Sequence, residues 1–539
     1  MAKRPNILLI TSDQQRADCY GFRGRKVKTP HLDRMAVSGT HFTQCITPNV
    51  VCQPSRTSIL TGLLPLSHGV VDNGIDITEE LAETGFSRTL ANSGYKSAFI
   101  GKTHFSTKGT FQPTGRPECH FSSADYAEDW TGPYMGFDYI EMMCHGHFHK
   151  NRNPVMPPVG QHFERWYYGH GNSGQEVWDL WAEELAPKTS AAQTWHSALP
   201  AQWHTSTWVG DRTVDFLSRH DDKEPFVLWA SFPDPHHPFD CPEPWSRMHN
   251  PEEVDISTIH NKDLERRPWW HKASLESEPD LDDPELLEFR KHGSRCPDQT
   301  EAQLREMTAN YYGMISLIDH NVGRIFEALE TNGQRENTIV VYTTDHGDML
   351  GDHGLYLKGP THYEALLNVG LIFNGPGVPA DKIVDEPVST LDLAATFYDY
   401  AGINKHENIQ SESLRELVEG NGSRDVAYNE WNVNASRCGV PLILRTIRTK
   451  THKCTFELES GAGELYDLVN DPNEMDNLFN DTAGSIARKE LTEMMQERPG
   501  IAHQLLHPRL LHVAVAAVDL ECPSRDLPSG LGGHHLRQR

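Results

Sequence analysis

The sequence predicts an α/β fold: a large, mostly parallel sheet covered by helices on both faces, with a smaller C-terminal α+β part built on a short antiparallel sheet. Three observations carry that reading. Four short apolar runs recur between Asn6 and Thr344, and each ends in a cluster of polar and ionisable side chains. Stretches with helical periodicity lie between them, the alternation expected of parallel strands covered on both faces. After about Gly402 the apolar runs become shorter and partly alternating.

The runs come in order. Asn6-Ile-Leu-Leu-Ile-Thr-Ser12 has the unbroken apolar character of a strand buried on both faces and ends in Asp13-Gln14-Gln15-Arg16. Tyr95–Gly101 ends in Lys102-Thr103-His104, Phe226–Phe232 runs into Asp234-Pro235-His236-His237-Pro238, and Thr338–Thr344 ends in Asp345-His346-Gly347-Asp348. Ligands of open α/β sheets bind at the carboxyl edge, so these clusters are the candidate site. Leu304, Met307, Tyr311, Met314, Ile318, Val322, Ile325 and Leu329 recur at helical steps, with a capping box at Thr300-x-x-Gln303 and a stop at Gly333. Leu391–Tyr400 reads as another helix. The stretch 119–208, crowded with Trp, His, Tyr, Gly and Pro, reads as an insertion of loops and short helices over the carboxyl edge, and 247–298 as a polar, exposed excursion. Residues 1–415 are expected to form the catalytic domain. Residues 416–539 form a C-terminal subdomain with strands at Val426–Trp431, Leu442–Arg448 and Lys453–Leu458, a helix near Ala483–Gln496, and a tail carrying His503, His507 and His512.

Composition narrows the partners. A formal charge of −26 over 539 residues argues against nucleic acid. No apolar run approaches the ~20 residues that span a bilayer, so no membrane partner is expected. Met1–Pro5 leads straight into a short strand without a signal-type apolar region, which predicts a cytoplasmic chain. Ten scattered Cys without a Cys-x-x-Cys pair read as free thiols. An acidic chain that binds an anion must concentrate Lys, Arg or metal in one place. A homo-oligomer stays open.

The chemistry centres on Cys52-Gln53-Pro54-Ser55-Arg56-Thr57-Ser58-Ile59-Leu60-Thr61-Gly62. Pro suits a first helical turn, and a thiol at a helix N-terminus lies in positive potential. Arg56, one turn on, offers a planar donor fork suited to a tetrahedral oxyanion. A thiol phosphatase would need Arg six positions after the Cys, where this chain has Ser58.

This stretch resembles the signature of the type I sulfatases, Cys-x-Pro-Ser-Arg-x-x-x-Leu-Thr-Gly, in the alkaline phosphatase superfamily. Leu63 departs from the Arg that many members carry. The resemblance implies an alkaline phosphatase-like catalytic domain and hydrolysis of small-molecule sulfate esters. It further implies that a formylglycine-generating enzyme oxidises Cys52 to formylglycine, whose hydrate is the nucleophile. It places one divalent metal on Asp13, Gln14, Asp345, His346 and modified Cys52. Calcium is usual in the family, with Mn2+ or Mg2+ as alternatives, since His346 brings a nitrogen ligand that manganese accepts well. Lys102 and Lys358 match the sulfate-binding lysines. His104 matches the base that breaks down the sulfo-enzyme, and His236 the acid that protonates the leaving oxygen. Asn73 is a further substrate-contact candidate.

Phosphonate monoester hydrolases and phosphodiesterases on the same scaffold resemble the chain in the Asp-Gln start and the Asp-His pair, but lack the Lys-x-His pair found here at Lys102 and His104. A two-zinc phosphatase with a Ser or Thr nucleophile lacks a second ligand set in this sequence. A silent binding relative should have lost part of the polar set.

Overall fold

The computed structural model describes residues 4–107, 113–119, 122–144, 146, 161–170, 176, 179–181, 183–221 and 223–500. Its large sheet comprises β1 (Asn6–Ser12), β2 (Thr40–Ile46), β3 (Lys96–Lys102), β4 (Tyr139–Met143), β5 (Phe226–Ser231), β6 (Thr338–Thr344), β7 (Asn368–Asn374), β8 (Lys382–Val384) and β9 (Val388–Ser389). The order is β4-β3-β5-β1-β6-β7-β2-β8, with β9 also beside β2. From β4 to β6 all strands are parallel, and β7 is antiparallel to both neighbours. The four runs read from sequence are therefore the adjacent strands β3, β5, β1 and β6, and their carboxyl ends lie side by side.

Side chains alternate across a strand, and here both faces are apolar. Ile7, Leu9, Val227, Trp229 and Phe99 enter one core with Phe86 and Phe397. Leu8, Ile10, Leu228 and Ala230 enter the other with Trp208, Ile318 and Val322. The long helix Glu301–Thr331 carries the capping box between Thr300 and Gln303, and Gly333 follows it at φ +68°. The Leu391–Tyr400 run opens as a 3-10 turn at Thr390–Asp392 and continues as the helix Leu393–Ala401.

Two sequence readings are corrected. The stretch 119–208 is not only loops and short helices, because β4 lies inside it and pairs with β3 from Ala98↔Tyr139 to Lys102↔Met143. Glu141 in its middle hides the strand; that carboxylate is held by Arg212 at 2.5 Å. The stretch 247–298 is not a simple exposed excursion either. Trp270 is fully buried and donates through Nε1 to Pro360 O at 3.0 Å, and Arg267 donates to Tyr466 Oη at 3.0 Å and to Glu474 O at 2.9 Å.

The second sheet is antiparallel, in the order β10 (Val426–Val433), β11 (Leu442–Thr449), β12 (His452–Glu457) and β13 (Gly463–Asp467). The helix Ser485–Gln496 packs on it through Leu491 and Met495. This sheet grips the segment leading to Cys52. Glu430 N donates to Pro48 O at 2.9 Å, Asn429 Nδ2 to Thr47 O at 2.8 Å, and Asn49 Nδ2 to Glu430 O. His503, His507 and His512 lie outside the described residues. Among the described residues no helix is long and apolar enough to cross a membrane.

Candidate active site

Cys52 opens the helix Cys52–Thr61, all ten residues of which are buried. The chain enters extended at Val51, and Pro54 falls in the first turn, where its missing N–H leaves nothing unpaired. The turn is fixed from outside: Gln53 N donates to Asn73 Oδ1 at 3.0 Å, and Gly74 N donates back to Gln53 Oε1 at 2.8 Å. Asn73, expected at the substrate, thus caps the Cys52–Thr61 helix. Gly62 closes the helix at φ +67°, and a Cβ there would come within 2.7 Å of Ile409.

The ligand atoms of Asp13, Cys52, Asp345 and His346 lie within 4.8 Å of one another, and all four residues are buried. Cys52 Sγ is 3.2 Å from His346 Nε2 and 3.7 Å from Asp13 Oδ1. His346 Nδ1 sits 2.9 Å from Gly347 O, which requires it to donate, so that in the neutral ring the Nε2 lone pair faces the cluster. Gln14 has φ +67° and donates its backbone N–H to Asp345 Oδ1 at 3.1 Å. Its Oε1 is buried with no hydrogen-bond partner in the structure. Two carboxylates, an orphaned amide oxygen and one imidazole nitrogen fit a hard divalent cation.

Cations surround the same point. Lys102 Nζ lies 2.5 Å from Asp13 Oδ2. Lys358 Nζ lies 2.9 Å from Cys52 Sγ, 3.1 Å from His236 Nε2 and 3.0 Å from His346 Nε2. Burial opposes ionisation of Asp13, but Lys102, then Arg56 and Lys358, outweigh it and hold the carboxyl well below its usual range. Burial and Asp13 push the Cys52 thiol up, whereas Lys358, Lys102 and His346 pull it down further, to about 7.

Arg56 departs from its expected use. Its guanidinium donates to Asp345 Oδ2 (2.9 Å), Asp13 Oδ2 (3.1 Å), Lys102 O (2.9 Å) and Ser231 Oγ (2.8 Å). Four of its five N–H groups are committed, one contact at the end of each of β6, β1, β3 and β5. It braces the site instead of offering a free fork to an oxyanion. His104 follows β3 at φ +56° and is 6% exposed. Its loop is tied to the nucleophile helix by Gln53 Nε2 donating to Phe105 O at 3.1 Å, and to the Glu118 carboxylate through Phe105 N. His236 is stacked on His237 with ring centroids 4.1 Å apart.

Cys52, Asp13, Asp345, His346, Lys102, Lys358 and His236 thus converge. Sequence reading gave no role to Ser231, Asp348, Glu118 or His237. Asp348 and His237 stand in the strand-end clusters, and that position is the signal that could have found them.

The Sulfatase family model matches residues 5–403, and the model for the C-terminal part of N-sulphoglucosamine sulphohydrolase matches residues 351–499. An arylsulfatase of Clostridium perfringens (strain 13 / Type A) is 29% identical over 491 residues, 88% of this chain and 90% of its own. The multifunctional alkaline phosphatase superfamily protein PehA of Trinickia caryophylli is 28% identical over 512 residues, 89% of this chain and 92% of its own. The crystal structure of the phosphonate monoester hydrolase of Agrobacterium radiobacter shares the fold, with a TM-score of 0.74 at 23% identity over 94% of this chain and 96% of that one. With a family model covering residues 5–403 and the Cys52–Gly62 signature buried at the carboxyl edge of its sheet, the chain belongs to the sulfatase family of sulfuric ester hydrolases.

Proposed function

We propose that the protein hydrolyses sulfate monoesters to an alcohol or phenol and sulfate, using a formylglycine made from Cys52 by a formylglycine-generating enzyme. The observation that carries the reading is the convergence on Cys52 Sγ of Lys358 Nζ, His346 Nε2 and the Asp13 carboxylate. In this reading Sγ marks where the oxygens of the aldehyde hydrate stand. Asp13, Gln14, Asp345 and His346 would hold one divalent cation, Ca2+ by expectation, with Mn2+ or Mg2+ as alternatives. When bound, it would supply positive charge against the sulfate oxygens.

The chain's own groups then divide the work. Lys102 and Lys358 hold sulfate oxygens. One hydroxyl of the hydrate, ionised beside Lys102 and Lys358 with its proton released to solvent, attacks sulfur, and the bond from sulfur to the bridging oxygen breaks as His236 delivers a proton to that oxygen. His104 takes the proton of the second hydroxyl. The aldehyde re-forms as the carbon–oxygen bond to the sulfated oxygen breaks, sulfate leaves, and water adds to the aldehyde to restore the hydrate. The elimination needs a second hydroxyl on the same carbon, which neither Ser nor Cys offers. Residues 1–415 carry this chemistry, and 416–539 are the C-terminal subdomain, whose strand β10 secures the segment before Cys52.

A second reading is hydrolysis of phosphonate monoesters. It is favoured by the Asp13-Gln14 and Asp345-His346 pairs and opposed by Lys102 and His104. The deciding experiment compares rates on an aryl sulfate and an aryl phosphonate monoester. A faster phosphonate reaction refutes the sulfatase reading. Mass analysis of the Cys52 peptide from active protein should show sulfur lost and an aldehyde oxygen gained. Active protein carrying only the thiol refutes the covalent scheme.

A further inference from the structure

We propose that His237 is a positioning residue: together with Asp348 it fixes the side-chain amide of Gln14 so that the carbonyl oxygen, and not the NH2 group, is presented to the cation site. The inference rests on the reading of Gln14 as a cation ligand.

The argument starts from the two hydrogens of the amide. Gln14 Nε2 stands 3.1 Å from His237 Nδ1 and also donates to Asp348 Oδ2. Both N–H bonds are thereby used, and Nδ1 must be the unprotonated ring nitrogen in order to accept. The Asp348 carboxylate is itself fixed, because its Oδ1 accepts from Leu350 N at 2.7 Å. A flipped amide would set Oε1 against the Asp348 carboxylate oxygen, exchanging a hydrogen bond for a repulsion, and would meet His237 only with the ring proton moved to Nδ1. The orientation is therefore set by Asp348 and completed by His237 as acceptor, and it leaves Oε1 buried without a hydrogen-bond partner. Such an atom is costly to leave unmet, and a cation on Asp13, Asp345 and His346 would meet it.

The His237 ring is in turn held from the acid's side. It is 5% exposed and lies 21° from parallel to the His236 ring. His236 Nδ1 is 2.5 Å from His237 O, and His236 Nε2 is 3.1 Å from Lys358 Nζ. One side chain thus touches both the amide offered to the cation and the ring that protonates the leaving oxygen. Its effect on the reaction runs through those neighbours.

Four variants test this in the full-length chain: His237→Phe, His237→Asn, Gln14→Leu, and Gln14→Leu combined with His237→Phe. Phe keeps a ring against His236 but removes the acceptor, whereas Asn returns an oxygen acceptor near the position of Nδ1. Each protein is stripped with chelator, and its melting is checked in the metal-free state. It is then titrated calorimetrically with Ca2+ and with Mn2+. His237→Phe should weaken metal binding about tenfold or more, the usual scale for partners that orient a ligand. His237→Asn should stay within about threefold of the parent, and His237→Phe should cause no further loss on top of Gln14→Leu. The proposal is overturned if His237→Phe binds metal like the parent, if it weakens binding equally in both backgrounds, or if a folded His237→Asn loses tenfold. Parent-like binding by Gln14→Leu alone would overturn the ligand reading beneath the proposal.

Discussion

Replacing Arg56 with Ala removes a fully buried guanidinium that bonds to the ends of four neighbouring strands. The loss is unevenly shared. Lys102 O still accepts from Ser231 Oγ at 2.7 Å, and Asp13 keeps Lys102 at 2.5 Å. Asp345 Oδ1 keeps the N–H groups of Gln14 and His346, but Oδ2 loses Arg56, its direct cationic partner. Breaking a buried ion pair from one side costs about 3–5 kcal/mol, because a charge stays behind without its partner. Unfolding entropy near 2.1 cal/mol/K per residue gives about 1.1 kcal/mol/K for 539 residues. The metal-free variant should therefore melt roughly 3–5 °C below the parent. A cation bound between Asp13 and Asp345 replaces part of the lost charge, so Ca2+ should raise the melting temperature more in the variant than in the parent. Scanning calorimetry at one scan rate, with chelator and then with excess Ca2+, measures both shifts. A chelated variant that melts with the parent, or an equal Ca2+ shift in the two proteins, would refute the assignment of Arg56 as counter-charge to the carboxylates.

Three further outcomes are expected. His236→Ala should slow sulfate esters with poor leaving groups about 10²–10⁴-fold while sparing activated aryl esters, because only the former need protonation; a uniform loss across a leaving-group series would assign the ring to binding. His104→Ala should give a burst of released phenol from an aryl sulfate followed by a stall, since attack survives and elimination fails; rapid mixing reads this, and steady turnover at the parent rate would remove His104 from the cycle. Burial holds His68 and His362 at pKa values of about 3, so both stay neutral in the fold while the unfolded chain takes protons near 6.5. Their stabilising contribution is present above pH 6.5 and is lost as pH falls toward 3, by up to about 1.4 kcal/mol per unit for each ring. Burial of Asp319 raises its pKa to about 7 and acts in the opposite sense, with stability lost as pH rises from 3.8 to 7. Denaturant titrations at several pH values should show a shallower acid limb in His68→Asn, and an unchanged limb would contradict the depressed pKa.

The centre of the sheet was legible because β1, β3, β5 and β6 are short buried runs whose last residues are ionisable, a pattern that depends only on local sequence. The bracing role of Arg56 was not. A guanidinium one turn into a helix reads equally as an anion grip or a strut, and only the arrival of Asp345, 289 positions away, decides between them. The capping contact of Asn73 was hidden for the same reason, since its acceptor meets Gln53 N only once the 68–74 loop folds back on the helix. The orientation of Gln14 depends on His237, 223 positions on. Strand β4 exists because β3 offers it an edge, and Trp270 is buried in one apolar cluster with Met349, Leu355 and Tyr363 and with Trp431 and Leu444 of the second sheet. Neither leaves a periodic trace.

The grip of β10 on the segment before Cys52 sets a clock on biosynthesis. The bonds from Asn429 and Glu430 to Thr47, Pro48 and Asn49 cannot form until a residue 378 positions after Cys52 has been made. At about 5–20 residues per second, translation takes roughly 20–75 s to cover that distance. Throughout that interval the segment before Cys52 lacks the contacts that pin it, whereas in the finished protein the Cys52 side chain is closed in on every side. In the proposed maturation, the catalyst that oxidises the thiol has the length of one ribosomal transit to reach it, and slower elongation downstream of Cys52 would lengthen its opportunity.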